Sequence, residues 1–155
     1  MRRWVRFLSA AAGATALLTV VVYAASPEDG QAAFQRREDT MKRMGRPFYL
    51  GIGRVVKGTA AYGPDTVTAA ETVASLATTL DRTLFPLDSD VAESKLKPEI
   101  FSAKDYVDQP IAAVKAATAR LLPVVESGHK TAITAAYTAV YNACNGCHTE
   151  FRKEE

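Results

Sequence analysis

Residues 133–151 read Ile133-Thr134-Ala135-Ala136-Tyr137-Thr138-Ala139-Val140-Tyr141-Asn142-Ala143-Cys144-Asn145-Gly146-Cys147-His148-Thr149-Glu150-Phe151. Ile133, Tyr137, Val140, Cys144, Cys147 and Phe151 recur at spacings of 4, 3, 4, 3 and 4, which is one face of an α-helix. Inside that face lies Cys144-x-x-Cys147-His148, the C-x-x-C-H signature of covalently attached haem c. The chain has 2 cysteines and 2 histidines in all, and three of those four residues are in this motif. Each thiol can form a thioether to a haem vinyl group, and His148 can supply the proximal iron ligand. Cys144 and His148 are one helical turn apart, so both can face the same haem. A disulfide or a thioredoxin-like dithiol also uses two cysteines. The dithiol pair belongs at a helix N-terminus in an α/β domain, whereas this pair lies near the C-terminus in helical surroundings with His adjacent. Haem held in this way serves electron transfer, small-gas binding or redox chemistry.

The other end of the chain agrees. Arg2, Arg3 and Arg6 precede an apolar run from Phe7 to Val22, and Val22-Tyr23-Ala24 has the form of a small-x-small cleavage site. This pattern reads as a secretory signal peptide over residues 1–25, cleaved after Ala24 or Ala25. An uncleaved anchor is the competing reading, since Phe7 to Ala25 approaches spanning length. Haem is attached to C-x-x-C-H motifs outside the bacterial inner membrane, so the expected location is the periplasm. The whole chain carries 19 Lys plus Arg and 17 Asp plus Glu. Losing three arginines with the leader leaves 16 cations against 17 acids, or −1. No concentrated basic face argues for nucleic acid, and no second stretch is long enough to span a membrane. Residues 26–155 are the length of one domain.

The remaining periodicity predicts three more helices. The first starts near Ser26-Pro27-Glu28-Asp29, with a capping residue, an N-terminal proline and early acids. Met41, Met44, Phe48, Ile52 and Val55 lie on one face of it. Pro47 has no N–H for the carbonyl of Arg43, so a kink or short break is expected there, and Gly58 is a candidate stop. After the turn Ala61–Asp65, a second helix is expected from about Asp65 to Thr83, capped by Asp65 or Thr66. Its inward residues are Val67, Ala70, Val73, Ala77, Leu80 and Leu84. Phe85 to Ile100 reads as a long loop. A third helix is expected from near Ser102, with Asp105 as capping-box partner and Ile111, Val114, Ala117, Leu121 and Val124 inward. Pro123 is expected to bend it before Glu126-Ser127-Gly128. Four amphipathic helices with one long crossover and an internal ligand make an all-α four-helix bundle binding covalent haem c.

At this point the chain resembles the class II c-type cytochromes: cytochrome c′ and its low-spin relatives of the c-556 type. The residues that carry the likeness are Cys144-x-x-Cys147-His148-x-x-Phe151-Arg152 near the C-terminus and Arg37-x-x-x-Met41 on the first helix. Phe85-Pro86 and Pro98-Glu99-Ile100-Phe101 are also similar to the family. The resemblance covers Ser26 to Lys153. In the family an apolar residue opposite the histidine leaves iron five-coordinate and open to NO or CO. A methionine there closes the sixth site. The resemblance places Met41 at that position, with Met44 one turn further on as the alternative. Methionine also fills irregular cores without any such role. Arg37 matches an arginine beside a haem propionate; a solvated charge among Arg36, Glu38 and Asp39 is the plainer reading. Arg152 matches an arginine near the proximal haem face and reads equally as C-terminal helix charge. His129 reads as a surface residue, and Trp4 belongs to the leader.

These readings predict a periplasmic electron carrier with His148/Met41 ligation and transient redox proteins as partners. The alternative is a five-coordinate protein that binds NO or CO. No acid–base constellation points to an enzyme. The resemblance also implies pairing as a homodimer through the first two helices.

Overall fold

The computed structural model describes residues 27–86, 89–102 and 106–154. The leader, Ser26 and Asp105 lie outside the described residues. The first rod of the bundle consists of α1 (Pro27–Arg46), a π-helical turn (Pro47–Ile52) and α2 (Gly53–Val56). The second is α3 (Pro64–Thr78). A 3-10 turn (Arg82–Leu84) and the one-turn helix α4 (Glu99–Ser102) interrupt the crossover. The third and fourth rods are α5 (Asp108–Glu126) and α6 (Lys130–Phe151). Helix α5 packs against both α3 and α6, α1 packs against α3, and α2 against α6. The four-helix bundle expected from periodicity is the fold. Among the described residues the β content is a single bridge between Leu96 and Arg152.

The break expected at Pro47 takes the form of the π turn, which begins at that residue. A proline cannot donate to the carbonyl four residues back, and widening the turn accommodates the loss without ending the rod. Gly58 then stops the rod, as anticipated. Its φ of 72° is the left-handed conformation that closes helix C-termini, and its N–H donates to the carbonyl of Val55 at 3.0 Å. Helix α3 starts one residue earlier than expected. Gly63 is the capping position, and Thr66 Oγ1 accepts from its N–H at 3.3 Å.

Two expectations need correction. Helix α3 ends at Thr78, not Thr83. The hydroxyls of Thr78 and Thr79 donate back to the carbonyls of Ser75 and Leu76 at 2.7 and 2.8 Å, which competes with helix continuation. Asp81 then caps the 3-10 turn, accepting from Thr83 N–H at 2.8 Å. Leu80 and Leu84 are buried as expected, but Leu80 lies just past the helix and Leu84 in this turn. Helix α5 begins at Asp108, not near Ser102. Pro110 therefore falls in its first turn, where N–H groups have no intrahelical partner and a missing one costs nothing. The buried face of α5 is Val114, Thr118, Leu121 and Val125, while Ala117 and Val124 are half-buried. Thr118 was read past because it is polar. Its hydroxyl is satisfied by the carbonyls of Val114 and Lys115 at 2.9 and 3.1 Å, so it packs as a small core residue.

Candidate functional site

Helix α6 keeps its stripe along its whole length. Ile133, Tyr137, Val140 and Phe151 are buried, whereas Cys144, Cys147 and His148 are half-buried. The difference arises because these three face a cavity of about 110 Å³ between the rods. Its walls come from every rod. Met41, Met44, Gly45, Phe48 and Tyr49 stand on the first, Val73 on α3, Leu80 and Phe85 on the crossover, and Ile111, Val114 and Thr118 on α5. A second cavity of about 240 Å³ adjoins it toward the crossover, lined by Phe34, Arg37, Glu38, Glu93, Lys95 and Arg152 among others. Met41, Phe85, Cys147 and His148 border both. The fold thus brings Met41 of the first rod to the same space as the C-x-x-C-H motif of the last.

The residues present suit a covalently held haem. Two thiols and an imidazole converge on one apolar space, and the charged groups sit at its crossover end. Burial is the main cause pushing the Cys147 thiol up to about 11, with Cys144 and Glu150 adding to it. Burial raises Cys144 as well. Both sulfurs are therefore neutral at physiological pH. Burial first, and then the positive charge of Arg152, lowers the pKa of His148, so its imidazole is neutral and has a lone pair to offer a metal. Gly45 also fits. A Cβ there would meet nothing nearer than the Tyr49 ring at 3.9 Å, so the missing side chain leaves the cavity wall open in mid-helix.

Arg37 is buried, at 5% exposure, and is not one of the solvated charges around it. It donates to the carbonyl of Leu84 at 2.7 Å, to Ser89 Oγ at 3.3 Å and to the carbonyl of Ser89 at 3.5 Å. The faces of Phe34, Phe85 and Phe101 surround its guanidinium at 5.8, 5.6 and 5.3 Å. Burial pulls its pKa down, and Asp90 offsets part of that. Arg37 thus fastens the crossover to α1 while lining the second cavity. Arg152 is exposed. Its N–H closes α6 on the carbonyl of His148 at 2.9 Å. Beside it the crossover and the C-terminal residues are stitched together, Lys97 N–H to Phe151 O and Lys153 N–H to Lys95 O, each at 2.8 Å. Met44 is buried and lines the first cavity alone. His129 is exposed, as expected.

Tyr49 is the site residue that sequence reading missed. It lines the first cavity and is 44% exposed. Burial, followed by its neighbours Cys144 and Tyr141, pushes its phenol up. A strict α-helical period assigns position 49 to the outside of the rod. The π turn brings it to the cavity, and Pro47 was the available signal.

The pattern of the Cytochrome C′ family matches residues 32–152. Cytochrome c′ of Rhodospirillum rubrum is 28% identical over 151 residues, covering 96% of this chain and 99% of that protein. Among solved structures, a carbon monoxide-bound variant of cytochrome c′ from Alcaligenes xylosoxidans superposes with a TM-score of 0.71 at 26% identity, over 84% of this chain and 98% of that one. A ferrous variant from the same organism with bound NO superposes at 0.72 and 25% identity, over 86% and 100%. Cytochrome c′ from Shewanella frigidimarina shares the fold, with a TM-score of 0.74 at 22% identity over 81% and 97%. The chain belongs to the cytochrome c′ family, within the class II c-type cytochromes, a family that binds haem c.

Proposed function

We propose that this chain is a periplasmic c-type haem protein that binds a small neutral gas, NO or CO, in the cavity that His148 borders. Cys144 and Cys147 would hold the haem, and His148 would ligate its iron. When bound, the haem supplies an iron that passes between ferrous and ferric states and offers a sixth position. The observation that carries the reading is the wall facing the motif: Met41, Met44, Phe48, Val73, Leu80 and Phe85. Thr118 brings a hydroxyl, but it is spent on the carbonyls of its own helix. Apart from the Tyr49 phenol at its outer edge, this wall has little to replace an anion's hydration, and that loss is costly; placing an uncharged diatomic there is not. The family structures with CO and NO support the same choice. It reverses the order in which sequence alone ranks the two readings.

Electron transfer through a closed His148/Met41 site is the second reading. It is favoured by one observation: Met41 and His148 border the same two cavities. The two readings separate in the ferric and ferrous optical spectra of wild type and Met41→Ala. If the distal face is open, both proteins are high-spin and their spectra coincide. If Met41 closes it, wild type is low-spin and Met41→Ala turns high-spin, which overturns the first reading. The signal peptide and the periplasmic location are part of the proposal. Among the described residues no helix is long and apolar enough to cross a membrane. Intact mass of the exported protein, reading a chain from Ala25 or Ser26 plus one haem, tests leader and attachment together.

A further inference from the structure

We propose that Tyr49 is the gate of the cavity, its ring closing the solvent side beside Cys144 and swinging aside to admit a small gas. The inference rests on the gas-binding reading and deepens it. Among the described residues sixteen line the cavity, and of these Tyr49 alone is exposed, at 44%. Its ring is thus the lining side chain most open to water. The next residue inward, Phe48, is 3% exposed, and its ring lies flat on Tyr137 with centroids 4.4 Å apart and planes at 11°. Phe48 is a fixed wall. Tyr49 touches it only by an edge, at 5.1 Å and 73°.

The ring has room to move. Beneath it lies Gly45, whose missing Cβ would stand 3.9 Å from Cδ2 and Cε2 of Tyr49. No side chain there pins the ring, although glycine in a helix interior costs roughly 1 kcal/mol relative to alanine. Its other neighbours include Cys144 and the exposed Tyr141. Exposed side chains change rotamer on short timescales, and an aromatic ring has only two torsions to reset. The π turn is what puts a fixed ring and a mobile ring at consecutive positions on one wall. π turns concentrate at functional sites, and here the turn has a specific consequence.

A gate changes the rates of entry and escape by the same factor and leaves affinity alone. A residue that holds the bound ligand changes affinity. The test is laser photolysis of CO from ferrous holoprotein, read as bimolecular recombination, dissociation, and the fraction of CO that rebinds without leaving the cavity. Each Tyr49 variant is made in wild type and in Met41→Ala, so that methionine detachment cannot mask the gate. Tyr49→Ala is expected to raise association and dissociation together by about fivefold or more, lower the fraction rebinding from within, and hold the dissociation constant within twofold. Tyr49→Phe keeps the ring and should match wild type. Gly45→Ala, with a methyl under the ring, should slow both rates.

Equal rates in Tyr49→Ala and its parent, with native haem content and spectrum, overturn the gate. So does a change in affinity through only one of the two rates. Absence of CO binding in both backgrounds overturns the gas-binding reading itself and the gate with it. Gas binding with unaltered rates removes the gate alone.

Discussion

At the scale of single residues, the site depends on side chains that bind backbone as much as on those that face the cavity. Asp81 is an example. Its carboxylate accepts the N–H of Thr83 at 2.8 Å and the Thr83 hydroxyl as well, and so holds the 3-10 turn that presents Leu84 to Arg37 and Phe85 to the cavity. The side-chain bond from Thr83 is the main cause lowering the Asp81 pKa. A carboxylate held below its ordinary value favours the fold fully above that value, near pH 4. The contribution disappears as pH falls through the depressed one. Asparagine caps without titrating. Asp81→Asn is therefore expected to match wild type near pH 7 and to lose less stability than wild type on acidification below pH 4. Denaturant titrations of holoprotein at a series of pH values check this. An acid limb in Asp81→Asn as steep as in wild type would show that the cap does not titrate as described.

The residues legible in the sequence were those whose chemistry is local. Cys144, Cys147 and His148 stand out because the C-x-x-C-H pattern has a fixed spacing on one helix. Arg37 could be picked out only by resemblance. Nothing in Arg36-Arg37-Glu38-Asp39 says which charge is buried, because the partners that bury it, Leu84 and Ser89, are about fifty positions away. Tyr49 was illegible for a different reason: an amphipathic residue fits either side of a helix, and the π turn moved the register under it.

At the scale of elements, periodicity located all four rods and missed their ends. Leu80 and Leu84 extend the period of α3 beyond Thr78 because the segment after the helix, ending in the 3-10 turn, buries the same positions. On α5 the apolar residues Ala117 and Val124 drew the inner face one position away from Thr118 and Val125. The π turn controls how closely the first two rods approach. A Cβ on Gly51 would lie 2.5 Å from Cβ of Ala69 on α3, closer than two carbons can pack. Gly51→Ala is expected to destabilise holoprotein by about 1–2 kcal/mol, with the clash outweighing the gain in helix propensity. Ala69→Gly on its own also destabilises, yet in the Gly51→Ala background it should recover part of the loss. A double-mutant cycle by chemical denaturation measures the coupling. Costs that simply add would show that the two elements do not meet there.

At the scale of the molecule, the chain is a helical cage closed at one end by stitching. Arg37 ties the crossover to α1, and Lys97 and Lys153 tie it to the residues that follow the haem motif. The crossover can therefore run between the second and third rods while still supplying Leu80 and Phe85 to the cavity. Away from that stitching, Tyr49 faces water. An apolar room bounded by Met41 on one wall and His148 on another favours neutral molecules over anions. The central claim is that this room takes a gas. The most direct measurement is an optical titration of ferrous wild-type holoprotein with CO. A single saturable change in the haem spectrum, ending at one CO per chain, is the predicted result. A ferrous low-spin spectrum that excess CO leaves unchanged would contradict the account and return the chain to electron transfer through His148 and Met41.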